Sequence, residues 1–237
     1  MRSLSLLCLA AVLALTGSTN AALVSFVTPP GATEPFTGLP VDASATFSTG
    51  PDLVLVTLSN LIVNERSVAQ NVSDIAFTLD TGQTSGSITS SSGLERTVHA
   101  DKTYTDGSVV AAGWKIGTLT LGSTTYIHLT VLGGAPATPS HTILGQPTPP
   151  GNTTYANANT SIAGNGPHNP FLYGPVSFTL AVAGVTAASV VNDAVFSFGT
   201  TPGQYVHGVP LPSAALLGGI ALLGLAGLRI NRRRRME

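Results

Sequence analysis

The chain has 237 residues, of which 9% are charged and 43% hydrophobic, with a formal net charge of −1 at pH 7. A typical soluble domain has roughly 25% charged residues, so this composition excludes a charge-rich disordered chain and a nucleic-acid-binding protein with a clustered basic face. The single cysteine, Cys8, excludes a disulfide-stabilised scaffold. The length suits one domain of ordinary size.

The N-terminus is organised like a secretory signal peptide. Arg2 supplies a positive charge, residues 4–15 are apolar apart from one serine, and small polar residues follow. Thr19 and Ala21 occupy the −3 and −1 positions of a cleavage site before Ala22. Because the apolar run is too short to span a hydrocarbon core of ~30 Å, the pattern predicts a cleaved leader and not an anchor.

Removal of residues 1–21 has a consequence for the mature chain. Cys8 leaves with the signal peptide, so the exported protein has no cysteine. Exported animal proteins are usually stabilised by disulfides, and a cysteine-free exported chain therefore favours a bacterial source.

Residues 22–208 are expected to form an all-β ectodomain. Apolar and polar residues alternate with the period of two that is typical of strands with one buried face. Turn clusters rich in Gly and Pro separate these runs, and no helix longer than two turns is convincing. The pattern favours an antiparallel β-sandwich or a jelly-roll-like fold. Residues 53–58 are nearly continuously apolar and are expected in a central strand. The alternating runs are Ile75–Leu79, Thr118–Leu121, Thr125–Leu132, Val176–Val182 and Phe196–Phe198.

Two segments break this pattern. Residues 133–170 are dense in Gly, Pro and Asn, which predicts a long irregular loop, either a disordered insertion or a ligand-contacting loop. Within it, Ile143, Leu144 and Tyr155 are the residues that could fix it to the body. Residues 30–42 are expected to form a second, shorter loop.

Residues that could support catalysis or metal binding are few. The histidines match neither HExxH nor HxH spacing, so no zinc motif is present. His99, Asp101 and Asp106 lie close together in sequence and are interpreted as solvated loop residues, with a metal site as the alternative. His128 is expected on the solvent side of a strand. There is no GxSxG or SxxK motif, and no carboxylate pair stands out for glycoside hydrolysis. We therefore predict no catalytic residue, no metal and no cofactor, and keep a surface hydrolase only as a minor alternative.

Trp114 has two interpretations. With Tyr104 and Tyr126 it could form an aromatic platform for sugar rings, and the loop at residues 133–170 could complete such a site. A single tryptophan in a β domain is more often part of the core. The first interpretation leads to an exopolysaccharide-binding module, which we retain as the alternative function.

The C-terminal region has the pattern of a transmembrane helix. Residues 211–228 carry no charge, and about 18 residues at 1.5 Å each give a helix of ~27 Å, enough for a thin bilayer. Arg229 and the run Arg232, Arg233, Arg234 and Arg235 follow. By the positive-inside rule these arginines would face the cytoplasm and the body would face outward.

Residues 209–237 resemble a known bacterial sorting signal. The sequence Val209, Pro210, Leu211, Pro212, followed by a Leu, Gly and Ala-rich helix and terminal arginines, is similar to the PEP-CTERM signal in its VPLPA form. Leu211 stands where the PEP form has Glu, and Ser213 where the variant often has Ala. The resemblance implies a Gram-negative source and recognition by an exosortase, a membrane-embedded protease or transpeptidase.

The leading hypothesis rests on both chain ends. The protein is expected to be a non-enzymatic exported substrate that reaches the inner membrane through the Sec translocon and signal peptidase. The resemblance implies processing near Val209–Pro212 and delivery to the cell surface or the extracellular polymer. The prolines agree, because proline has no N–H and disfavours helix in the residue before it, which keeps this segment extended.

Overall fold

Short β-strands account for about half of the residues that the computed structural model describes, which are 23–133, 138–147 and 153–212. Within these ranges there is no α-helix, and one 3₁₀ turn spans Val68–Gln70. The predicted all-β class is therefore confirmed for the described body. The strands are β1 (Leu23–Val27), β2 (Ala43–Gly50), β3 (Leu53–Asn60), β4 (Val72–Leu79), β5 (Ser87–Val98), β6 (Tyr104–Val110), β7 (Lys115–Leu121), β8 (Thr124–Thr130), β9 (Ile143–Leu144), β10 (Phe171–Ala181), β11 (Val191–Phe198), β12 (Tyr205–His207) and β13 (Val209–Pro210).

The strands join into a 13-stranded sheet that curls on itself. We name its two halves the long arm, with the order β13-β1-β2-β3-β10-β5-β6, and the short arm, with the order β12-β11-β4-β8-β7. The two-residue strand β9 joins them, since Ile143 pairs with Val72 of β4 and with Leu172 of β10. The β9–β10 pairing is parallel, so the sheet is mixed and not purely antiparallel as the sequence suggested.

The main core lies between the two arms. Alternate residues of each strand point inward, as period-two patterns require. On β10, for example, Val176, Phe178 and Leu180 are at most 1% exposed. Phe47 of β2 meets Phe77 of β4 across the core, with ring centroids 4.9 Å apart. Burial of these apolar side chains from both arms is the main force that holds the arms together.

Each predicted strand overlaps an observed one and ends within two residues of it, but four of the observed strands, β4, β7, β10 and β11, begin three to five residues earlier than predicted. Residues 53–58 lie in β3, between β10 and β2. One detail differs from expectation. The strand is apolar throughout most of its length, yet its burial alternates, because Val54 and Val56 are at most 1% exposed whereas Leu55 is 42% exposed. The core covers one face of β3, and the other face is left partly open to solvent.

Parts of the segment 133–170 pack against the body. Leu144, Tyr155 and Ile162 are at most 1% exposed and form a second core with Val98 and Phe171. The prediction that Ile143, Leu144 and Tyr155 fix this segment to the body is confirmed by their burial. Backbone bonds strengthen the attachment, including one from the Tyr155 N–H to the Lys102 carbonyl at 2.9 Å.

Candidate functional site

The last described residues connect the two arms. Strand β12 pairs with β11 of the short arm, and β13 then pairs with β1 of the long arm. The chain crosses between them at Gly208, whose N–H donates to the Ala194 carbonyl at 2.8 Å. A Cβ at this position would lie 2.9 Å from the Phe196 ring and 3.2 Å from Cβ of Phe26. The crossing therefore requires glycine for steric reasons.

The segment that resembles a sorting motif adds an edge strand to β1. Val209 pairs with Val27 and Pro210 with Phe26, and the N–H of Leu211 donates to the Ser25 carbonyl at 2.8 Å. Hydrogen-bonded and non-hydrogen-bonded pairs alternate in an antiparallel ladder. The Leu211–Ser25 bond therefore places Pro210 at a non-hydrogen-bonded position, where its missing N–H costs the ladder nothing.

The side chains of this motif strand are exposed to solvent. All of residues 209–212 are exposed, with Val209 at 46% and Leu211 at 47%. Strand β13 ends the pairing order of the long arm, so its outer edge has no partner among the strands described. The segment is thus extended and accessible, as the prolines predicted.

Both ends of the body leave it at the same place. The antiparallel register continues from the Leu211–Ser25 pair to put Pro212 opposite Val24, beside Leu23. Leu23 and Pro212, the first and last described residues, therefore lie together at one edge of the long arm. The predicted leader and the predicted membrane segment both adjoin this edge.

Several predicted features lie outside the described residues. These are the leader with Thr19, Ala21 and Ala22, the helix at 211–228 beyond Pro212, and Arg229, Arg232, Arg233, Arg234 and Arg235. In residues 23–133, 138–147 and 153–212, no helix has the length and apolar character needed to cross a membrane.

Trp114 belongs to the main core. It is 6% exposed, its ring lies 5.2 Å from that of Phe178, and its indole N–H donates to the His141 carbonyl at 3.0 Å. With its faces covered by protein, the side chain is not available to stack on a sugar. This corrects the sugar-binding interpretation of Trp114, and the core interpretation is the one that the structure supports.

The candidate metal ligands near His99 have other partners in the structure. His99 Nε2 contacts the Thr105 hydroxyl at 3.1 Å, while Asp101 accepts hydrogen bonds from Thr103. Asp106 instead pairs with Arg96 through Nε at 2.6 Å. Across the described part of the chain, no three His, Cys, Asp or Glu side chains converge as metal ligands would.

A buried polar group on the outer face of the short arm was not anticipated from the sequence. Asp74 is 1% exposed, and its Oδ2 lies 3.6 Å from Nε2 of His128, whose side chain is 14% exposed. Ser197 pairs directly with Asp74 on the other side. In the strand order, Asp74 of β4 thus lies between Ser197 of β11 and His128 of β8, whereas a catalytic triad needs the histidine in the middle. His128 is partly buried and not the surface residue expected.

Arg96 anchors the second core. It is 3% exposed, its Nε and Nη2 donate to Asp106 at 2.6 and 2.9 Å, and its Nη1 donates to the Tyr155 hydroxyl at 3.1 Å. The guanidinium carbon lies 3.7 Å from the ring centroid of Tyr104 and 3.3 Å from that of Tyr173. Every face of this cation is occupied by protein, so its role is structural.

Glu65 is the most deeply buried acid near this core. It is fully buried and accepts a hydrogen bond from the Asn60 amide. Burial raises the pKa of the Glu65 carboxyl to about 8, against the opposing effect of hydrogen bonds from the Gly145 N–H and Asn60. The Asn60 amide also donates to the carbonyls of Gln70 and Ile143, both at 3.0 Å, which ties this group to β9.

The shorter loop borders a shallow apolar groove of about 520 Å³. Residues 27–32, 40–42, Leu61 and Ile62 line it. Asp42 is the one titratable side chain in this lining, and it accepts a hydrogen bond from the Thr28 hydroxyl at 3.1 Å. The groove therefore offers shape and apolar surface but no reactive group.

Comparisons with known proteins identify no relative. No family model, no curated protein and no solved structure matches the chain.

Proposed function

We propose that the chain is an exported, non-enzymatic protein of the cell surface or extracellular polymer of a Gram-negative bacterium, and the substrate of an exosortase-type enzyme. A signal peptide at residues 1–21 directs it through the Sec translocon. Leu211 and Pro212 are extended, so the membrane helix predicted at 211–228 would begin after Pro212 and, with Arg229 and Arg232–Arg235, hold the chain in the inner membrane. Processing at Val209–Pro212 then separates the body from this anchor.

One observation carries the proposal: the motif is the last described segment of the body, and it is extended and exposed there. A cut within residues 209–212 removes no core residue, because β13 contributes none to the buried set. The body would keep its fold and lose only the residues beyond the cut.

The shared exit of the two chain ends is also consistent with this proposal. The register puts Pro212 opposite Val24, so leader and anchor adjoin the same edge. Both segments could then insert into one membrane while the body stands clear of it. In this proposal the body is a sandwich-like ectodomain whose long and short arms face each other.

The test compares processing of the unaltered chain with that of Pro210→Ala/Pro212→Ala in the producing cells. The expected result is a larger, membrane-bound form of the variant that keeps the arginine-rich tail. Pro202→Ala, which changes an exposed proline in the preceding turn, is the matched control and should be processed normally. Equal processing of all three chains would overturn the role of the motif.

A further inference from the structure

Strand β1 lacks the features that normally protect the edge of a sheet. Its sequence, Leu-Val-Ser-Phe-Val, has no charged residue and no proline. It pairs with β2 without a bulge from Leu23 to Val27. Exposed edges of this kind readily pair with other strands, and proteins usually block them with charges, prolines or bulges. In this structure β13 covers the edge instead.

The prolines of β13 remove hydrogen-bond donors from the outer edge of this strand. Val209 and Leu211 lie opposite Val27 and Ser25, at the positions whose backbone groups face β1. By alternation, Pro210 and Pro212 have their nitrogens on the outer side, and neither carries an N–H. The outer edge of the motif strand therefore offers no donor at these two positions, and a further strand would gain little by pairing there.

We propose that the edge of β1 is a self-association surface that the Val209–Pro212 strand covers, and that release of this strand lets two copies pair through β1. In cells this rests on the proposed function, since processing at the motif is the step that would loosen β13. The partner is a second copy of this chain.

The register of such a pair is fixed by β1 itself. The β13 contacts identify Ser25 and Val27, and by alternation Leu23, as the residues whose N–H and C=O groups point outward. An antiparallel two-fold pair centred on Ser25 sets Leu23 of one copy opposite Val27 of the other. The outward N–H and C=O groups of each copy then face those of its partner and can form hydrogen bonds. Because β1 has no charge, this pairing brings no like charges together, and it continues the long arm from one copy into the next.

The test uses a disulfide between copies at the centre of the proposed pair. Cys8→Ser removes the only native cysteine, and Ser25→Cys places a thiol at the two-fold axis. Opposite residues of a hydrogen-bonded pair have Cα atoms about 5.5 Å apart, within disulfide range. The full chain in detergent micelles should stay monomeric on oxidation while β13 is docked.

Val209→Pro/Leu211→Pro removes the two N–H groups that β13 directs at β1, and it needs no processing enzyme. Added to Ser25→Cys, it should increase the disulfide-linked dimer at least tenfold. The control replaces Ser25→Cys with Thr46→Cys, with and without the two proline substitutions. Thr46 lies one strand inward, with its hydroxyl 3.0 Å from that of Ser25, so its thiol should give no dimer in either case. Unchanged emission from Trp114, the single tryptophan, would show that the core is intact.

The proposal would be overturned if the folded Val209→Pro/Leu211→Pro variant with Ser25→Cys gave no disulfide-linked dimer. It would also be overturned if the chain with native Val209 and Leu211 gave the same yield of dimer. If the Val209→Pro/Leu211→Pro variant does not fold, Leu211→Pro alone, which removes only the donor to the Ser25 carbonyl, gives the same comparison for β1.

A separate pair of variants tests the argument that the prolines block the outer edge of β13. Pro210→Thr/Pro212→Thr leaves β13 docked and restores two donors on its outer edge. Leu211→Cys should then give a dimer in this background and none with the native prolines, and the opposite result would refute this argument.

The two proposals fail separately. If the native chain keeps its tail in cells, the processing proposal fails while the undocked variant still decides the role of β1. If the chain is processed and its Ser25→Cys form gives no dimer in the processed fraction, the self-association proposal fails alone.

Discussion

Leu211 donates its backbone N–H to the carbonyl of Ser25 at 2.8 Å, so the last described segment of the chain closes onto the first strand. This contact joins the segment that resembles a sorting motif to the residues that come directly after the predicted signal peptide. It also depends on the completed fold, because the chain reaches β1 only after it has crossed from the short arm at Gly208.

The crossing at Gly208 should be intolerant of a side chain. Gly208→Ala would place a methyl group 2.9 Å from the Phe196 ring and 3.0 Å from the Ala194 carbonyl oxygen. Overpacking of this kind costs about 1–3 kcal/mol in the free energy of unfolding. Urea unfolding followed by Trp114 fluorescence measures it. Gly117→Ala, at a strand position with nothing within 4 Å of the added Cβ, is the control and should be close to neutral.

Trp114 should contribute to stability and not to sugar binding. Trp114→Ala removes a core ring that packs against Phe178 and should cost about 3–5 kcal/mol. Trp114→Phe keeps a ring but loses the donor to the His141 carbonyl, so a smaller loss is expected. Thermal unfolding monitored by circular dichroism separates the two. A Trp114→Ala chain of unchanged stability would contradict the core assignment.

Arg96 should not be replaceable by lysine. Lysine keeps the charge but cannot donate twice to Asp106 while its head group lies flat between the rings of Tyr104 and Tyr173. Arg96→Lys should therefore destabilise the fold by about 2–4 kcal/mol, because it leaves a buried network incomplete. In the same denaturation assay, Lys115→Ala at an exposed position should change stability by about 0.5 kcal/mol at most. Similar losses for both would refute the prediction.

Glu65 should make the protein less stable as pH rises. Its pKa is about 8 in the folded chain against an ordinary value of 4.5, so the folded state holds a proton that the unfolded state releases between these values. The contribution is complete below about pH 4.5, falls as pH rises and levels off above about pH 8. Glu65→Gln, which cannot ionise, should remove this slope.

The Glu65 slope can reach at most about 1.4 kcal/mol per pH unit. Urea midpoints of the unaltered chain and of Glu65→Gln, measured at pH 5, 6, 7 and 8, should diverge steadily in favour of the variant. Parallel curves would mean that Glu65 is already ionised in the folded protein.

The strands that the sequence predicted are those with one apolar face, such as residues 176–182, most of which lie in β10. Strand β5 was missed because its first half is rich in Ser and Thr, and its place depends on pairing with β10 and β6. Strand β9 lies in a segment whose Gly and Pro content suggested only a loop. Both β5 and β9 form because their backbones pair with strands distant in sequence. Such pairing leaves no local apolar pattern from which the strands could be predicted.

The candidate site was predictable in identity but not in geometry. The motif residues Val209–Pro212 stand out in the sequence, yet their pairing with β1 joins opposite ends of the chain and has no local signal. The same holds for Asp74 and His128. Alternation predicts that His128 faces outward, but no sequence rule says that the short arm buries its outer face beside Tyr126 and Val195.

The most direct test of the central claim is intact mass with C-terminal peptide mapping of the native protein, applied separately to membrane and extracellular fractions of its producing cells. We expect a mature form that begins near Ala22, ends within Val209–Pro212 and is found outside the membrane. A form that retains Arg232–Arg235 in the membrane fraction, with no shorter form elsewhere, would contradict this expectation.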